Sequence, residues 1–357
     1  MSTFFSRLRD IGEEELKNAF AELLGTPIAG FDALNSGRNS RVYRIRDVKD
    51  DLYAGKVYYS HTHDIRDRLA TEYLAISFLR ENGIDAVPRP VAADRKKGIA
   101  LFEYIEGEKI PPYGVSRGDL LNAVLFLIRL KNSRTAPGAS SLLPASEACF
   151  SICSLFKNLD WRLSRLRAVE SNGTTYCAMK EFLENDLIPA LVNIERWARL
   201  RVSSRGLSCE VDLPLEERTL SPSDFGFHNA LRTESGRLVW FDFEYFGWDD
   251  PTKMTADFLL HPAMELSRKS GTEFLAGILT GFHEIRDFRW RLETLYPLYG
   301  LKWCFILLNE FVPSDFERRD FSFASGMVKD DIQMRQLDKA KAMLERILLE
   351  YEDFPYC

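Results

Sequence analysis

Long apolar runs are missing from this 357-residue sequence. None approaches the about 18–20 uninterrupted apolar residues needed to cross a bilayer. The two longest, NAVLFLIRL and LKWCFILLNEF, are cut by charge and read as core helices, so no membrane span is expected. The opening MSTFFSRLRDIGEEELKNAF has no apolar leader segment. Positive charge is not in excess: the net charge is −6, which argues against a nucleic-acid partner gripped through its phosphates. Cysteine is sparse, six residues scattered at 149, 153, 177, 209, 304 and 357. Cys149 and Cys153 could share a helix face, but no second cysteine or histidine pair follows at zinc-site spacing. Together these absences favour reduced thiols in a cytoplasmic protein.

Two phosphate-binding signatures are absent as well. Gly55-Lys56 is followed by valine, so no P-loop forms, and there is no G-x-G-x-x-G dinucleotide fingerprint. GVSRG (114–118) fits the G-x-S-x-G nucleophile pattern, but Pro111 and Pro112 stand where that elbow needs a strand. Ser116 with Asp119 reads instead as a helix cap. His61 and His63 read as an exposed polar loop.

What is present has the composition of a packed globular chain, 45% hydrophobic and 28% charged. Residues 12–25 have the spacing of an amphipathic helix ending at a glycine. RVYRIR and LYAGKVYY read as strands around the turn DVKDD. Asp67 to Asn82 reads as a helix with Gly83 as its cap, followed by strands in VPRPVAAD and GIALFEYIEG. This β-β-α-β-β order gives a small antiparallel sheet with one docked helix. From Ser116 onward the pattern is helical, at 116–134, 150–168, 176–200, 271–288, 290–311 and 330–350. The interruption is 219–246, a loop framed by short strands. The fold class is therefore α+β in two lobes, residues 1–105 and 106–357, with the hinge near EGEKIPPYG.

Four features in this order carry chemistry. SGRNSRVYRI (36–45) is a polar glycine turn before a strand, and Asn39 and Ser40 with nearby backbone N–H groups could meet a phosphate. Lys56 lies inside a strand, where an ammonium wants a partner; Glu72 in the next helix could supply it, or the strand could be an edge whose lysine faces water. LSPSDFGFHNAL (220–231) holds Asp224 and Asn229. VWFDFEYFGWDDP (239–251) places Asp242 among aromatics, where a carboxylate needs a cation or donors. Asn229 and Asp242 have the oxygen chemistry of a Mg²⁺ site, and Asp224 could accept a proton from an attacking hydroxyl.

The set resembles the aminoglycoside phosphotransferase and choline kinase family, small-molecule kinases with a protein-kinase-like fold, over about residues 30–312. The resemblance implies that SGRNSRVYRI is the nucleotide-positioning loop and that Lys56 and Glu72 hold the α- and β-phosphates. It makes LFEYIEGE the hinge, with backbone groups of Glu103 and Ile105 beside adenine. SDFGFHN matches the Brenner-type loop D-x-x-x-x-N, with Asp224 as base and Asn229 as metal ligand, and DFE puts Asp242 in the place of the DFG metal ligand. ATP and Mg²⁺ follow as expectations, with a small-molecule hydroxyl as acceptor: sugar-like first, aminoglycoside or amino alcohol second.

Three places depart from the family pattern. Pro222-Ser223 stands where His-Gly usually precedes the aspartate, Asn39-Ser40 stands where Ser-Asn is commoner, and Met254 replaces a frequent aspartate for which Asp250 or Asp257 could substitute. His228 could touch phosphate or substrate, or merely pack the loop. The altered lead-in leaves a second reading open, a pseudokinase-type module that binds nucleotide or a partner without transfer. A protein kinase is disfavoured because nothing after Asp242 resembles a segment ending in A-P-E.

Overall fold

The structure is a computed structural model that describes residues 12–34, 40–58, 66–171, 173–320 and 329–356, the side chains of 317–320 excepted. Helix α1 (Glu13–Leu24) stops at Gly25, whose φ of 72° suits glycine. Strands β1 (Ile28–Ala33), β2 (Ser40–Asp47) and β3 (Leu52–Tyr58) follow, then α2 (Arg68–Glu81), β4 (Pro90–Asp94) and β5 (Ile99–Glu103). The five strands pair antiparallel in the order β1-β2-β3-β5-β4. Alternation along β3 divides the sheet: Val57 joins Leu16 and Phe20 of α1 in one small core, while Tyr58 joins Leu69, Ile76 and Leu79 of α2 in the main one. Lys56 thus shares the α2 face. Asp67 caps α2 by accepting the Ala70 N–H, Asn82 is the C-cap, and Gly83 lies one position further at φ 77°.

One strand was not anticipated. β1 pairs with β2 through a register shift between Ile28 and Gly30, and Gly30 and Asp32 break the alternation by which strands announce themselves. It is an edge strand, so a weak pattern suffices.

The rest is mainly helical: α3 (Arg117–Asn132), α4 (Ile152–Arg167), α5 (Thr174–Phe182), α6 (Ile188–Ser204), then after a strand-bearing segment α7 (Pro251–Leu260), α8 (Arg268–Gly281), α9 (Phe288–Leu307), α10 (Pro313–Asp320) and α11 (Lys329–Glu350). Ser116 and Asp119 form the expected capping box on α3. The run at 176–200 is two helices joined by a π-turn over Leu183–Leu187. Buried α9 packs against both α7 and α11. Two small sheets interrupt the helices: β6 (Glu108–Lys109) pairs with β8 (Ala230–Arg232), which pairs with β9 (Leu238–Trp240), while β7 (Thr219–Ser221) pairs with β10 (Gly247–Asp249). The expected α+β architecture is what the chain adopts.

Helix α7 escaped the sequence reading for a physical reason. All ten of its residues are buried, polar ones included, so no apolar stripe alternates with a solvent face.

Candidate active site

The site begins at Lys56. Its Nζ lies 2.6 Å from Glu72 Oε2 on α2 and 2.6 Å from Asp242 Oδ1, which follows β9. The same Glu72 oxygen accepts the Tyr58 hydroxyl at 2.7 Å, and its other oxygen takes the Phe243 N–H at 3.3 Å. The edge-strand alternative is therefore excluded: β3 is central and the lysine is buried. Burial opposes the ammonium charge, but Asp242, Glu72 and Glu244 outweigh it and raise the Lys56 pKa. Glu244 is pushed up to about 7, by burial first and by the Asp242 charge second. It lies 3.7 Å from the buried Arg68 Nε. Asp242 itself has φ 68°, a left-handed conformation that aspartate tolerates better than most residues.

The 220–231 stretch is anchored by its aromatics. Phe225 stacks on Phe126 and sits 4.4 Å from Trp240, and Phe227 packs on Trp240 and Phe258. That leaves the polar residues between them to face one another. Asn229 donates its Nδ2 to the Asp224 carbonyl at 3.0 Å, and its own carbonyl accepts the Phe241 N–H at 3.0 Å. Asp224, Asn229 and Phe241 thus form a hydrogen-bonded chain leading to Asp242.

Two imidazoles converge on Asp224 Oδ1: His228 Nε2 at 3.3 Å and His261 Nε2 at 3.1 Å. Their rings stack 4.0 Å apart, and Trp303 meets His261 edge-on. Burial works against the Asp224 charge, but the hydrogen bonds and charges of His228 and His261 hold its pKa well below the usual carboxylate range. Burial, followed by His228, lowers the His261 pKa. Asp224, His228 and His261 also lie close enough to surround a metal ion. However, His261 Nδ1 accepts the Ala263 N–H at 3.2 Å, so the neutral ring carries its proton on Nε2 and donates to Asp224. Gly226 lets this cluster close: a Cβ there would stand 2.6 Å from Met264 Sδ and 2.7 Å from His228 Nδ1.

Ser223, the unexplained letter before Asp224, also has a left-handed backbone, φ 66°. Its hydroxyl donates to the Ser146 carbonyl at 3.0 Å and accepts from Lys253 Nζ at 2.9 Å. Lys253, buried on α7, is 2.8 Å from Asp249 and 3.2 Å from Asp257. Lys253 and Asp257 lie one turn apart on α7, with His261 a further four residues on at its C-cap, and Asp249, the last residue of β10, stands four before Lys253. Asp257 therefore partners Lys253, while Asp250 caps α7 and pairs with Arg291 at 2.6 Å.

The remaining expected residues are more dispersed. Asn39 lies outside the described residues, as do His61 and His63. Ser40 is buried at the start of β2, paired with Tyr58. Glu103 ends β5, its carboxylate taking the Arg89 N–H at 3.0 Å. Ile105 is half-buried in the 104–107 link, and its N–H pairs with no backbone carbonyl among the described residues. The sequence reading missed His261 and Lys253, and it marked Ser223 only as a departure from the family pattern. Only the four-residue spacing across α7 could have found the first two.

No protein-family model matches the chain, and comparison with curated proteins gives no match. Solved structures do match. A spectinomycin phosphotransferase, APH(9)-Ia, determined with ADP and spectinomycin, superposes with a TM-score of 0.63 at 12% identity, covering 92% of this chain and 99% of its own. The choline kinase LicA from Streptococcus pneumoniae gives 0.57 at 15% identity, over 94% of this chain and 99% of its own. An ethanolamine kinase of Plasmodium vivax gives 0.58 at 13% identity, over 87% and 81%. The chain has the protein-kinase-like fold that these proteins share.

Proposed function

We propose that this chain is an ATP-dependent, Mg²⁺-requiring kinase that transfers the γ-phosphoryl group to a hydroxyl of a small molecule. One observation carries the reading. Lys56 ties Glu72 of the sheet lobe to Asp242, and Asp242 adjoins the hydrogen-bonded chain from Asp224 through Asn229 to Phe241. Groups suited to nucleotide phosphates and to an acceptor proton thus meet at one place. The shared fold with proteins named for phosphotransfer supports the same conclusion.

Phosphoryl transfer passes through a loose transition state, so the protein positions groups and balances charge. Lys56 would hold the nucleotide phosphates, helped by Ser40 at the start of β2 and, as the family resemblance implies, by Asn39, with the backbone of Glu103 and Ile105 beside the base. The residues fit Mg²⁺: Asn229 commits its Nδ2 to Asp224 and Asp242 commits one oxygen to Lys56, which leaves an oxygen on each, the hard donors this ion prefers. When bound, the ion supplies positive charge beside the phosphate oxygens. Asp224, held ionised, accepts the hydrogen bond of the acceptor hydroxyl and takes its proton as the new P–O bond completes and the bond from the γ-phosphorus to the bridging oxygen breaks, releasing ADP.

A sugar-like acceptor is our first choice. Asp224 is flanked by the rings of His228 and His261, with Trp303 against the latter, and nearby Asp257 is tied to Lys253. An aminoglycoside or amino alcohol comes second. The test is purified protein with ATP and Mg²⁺ against a panel of sugars, aminoglycosides and amino alcohols, with new phosphoesters read by ³¹P NMR. Asp224→Ala should lower transfer by about 10²–10⁴-fold while ATP still binds; transfer surviving that change would refute the assigned base. ATP binding with no transfer to any acceptor would favour the pseudokinase-type module.

A further inference from the structure

Lys253 is 1% exposed, and its ammonium has three partners: it donates to Asp249 and the Ser223 hydroxyl and pairs with Asp257. Two carboxylates would suffice to neutralise it in the core. The third contact reaches across to the catalytic loop, to the residue immediately before Asp224. Ser223 is fixed from every side, its N–H on Ser221 Oγ at 3.0 Å and its hydroxyl between Lys253 and the Ser146 carbonyl. Its φ of 66° is a left-handed conformation that strains a non-glycine residue. Bonds of this kind, one of them charge-assisted, offset such strain.

We propose that Lys253 is a positioning residue for Asp224: through Ser223 it locks the left-handed turn that aims the Asp224 carboxylate. This rests on the reading of Asp224 as the base. A second link leaves the same helix and arrives at the same carboxylate. Lys253 holds Asp257, and His261, one turn further on, donates to Asp224 Oδ1. Backbone and side chain of Asp224 are therefore both referenced to α7.

The test is made on the full chain with Mg²⁺-ATP as probe and water as the stand-in acceptor, reading phosphate release and, separately, ATP affinity. Ser223→Gly keeps the left-handed turn accessible and removes only the hydroxyl, leaving the Lys253 carboxylate pairs intact. It should slow phosphate release by about tenfold with ATP affinity unchanged, as a small misplacement of a reacting group does. Ser223→Asn, which tolerates this backbone and offers Lys253 an oxygen, should restore most of the rate. Unchanged release in Ser223→Gly overturns the proposal, and so does a parallel loss of ATP affinity, which marks general disruption. Amide hydrogen exchange over 220–231 separates this proposal from the phosphotransfer reading. If the unaltered protein binds ATP but transfers phosphate neither to water nor to any acceptor of the panel, that reading fails. Faster exchange in Ser223→Gly then still supports the brace, and unchanged exchange overturns it.

Discussion

His261 and Asp224 stand 37 positions apart in sequence and 3.1 Å apart in space. The Ala263 N–H holds the far nitrogen of the ring, so the near one presents a proton to Asp224 Oδ1. One carboxylate oxygen is thus occupied by imidazole, which leaves the other for the acceptor hydroxyl that we propose.

Replacing Lys56 should expose how much the site depends on it. Lys56→Met leaves Glu72 and Asp242 without their shared cation. Removing one partner of a buried pair costs about 3–5 kcal/mol. We expect a lower Tm and a Kd for Mg²⁺-ATP weakened at least tenfold, read by calorimetry; unchanged affinity would separate the lysine from the nucleotide.

Asn229 predicts a metal phenotype. Asn229→Ala removes a proposed Mg²⁺ oxygen and the bond to the Asp224 carbonyl. The variant should need several-fold more Mg²⁺ for half-maximal activity, while chelation with EDTA should abolish transfer in the unaltered protein. A Mg²⁺ titration identical in both proteins would remove Asn229 from the metal site.

Gly226 tests close approach. Gly226→Ala drives a methyl into Met264 and His228, an overpacking that costs about 1–3 kcal/mol. Urea unfolding should show that loss, and activity should fall as His228 is displaced from Asp224.

Glu147 gives a pH dependence. Burial opposes its charge, but Lys302 and Arg162 outweigh burial and hold its pKa at about 2 instead of 4.5. A depressed carboxylate stabilises the fold above its unfolded pKa and loses that contribution as pH falls through the folded value. A difference of this size corresponds to about 3 kcal/mol. The stability gap between the unaltered protein and Glu147→Gln should therefore be full at pH 7 and shrink between pH 4.5 and 2, read by urea unfolding. Ser146, which holds the Ser223 hydroxyl, is the neighbouring residue.

The lobes were legible because their signals are periodic. The strand pattern of LYAGKVYY and the helix spacing of α2 offered Glu72 as a partner for Lys56, beside an edge-strand alternative, and the structure joins the two at 2.6 Å. β1 was lost to Gly30 and Asp32 at a sheet edge, and α7 to complete burial. At the site, D-x-x-x-x-N drew attention to Asp224 and Asn229, because their chemistry sits within one loop. His261 and Lys253 could not be seen that way, since their partners come from another element. Their meaning appears only when β7 and β10 pair and bring α7 under the loop.

The regular spacing from Asp249 to His261 also fixes the length of the helix between them. Inserting or deleting one residue between Asp249 and His261 would turn every later side chain by about 100°. Lys253 or His261 would then leave the loop, even if the core accepted the change. α7 is in effect a ruler whose divisions are set by Asp224, so its count of residues is held as firmly as its packing.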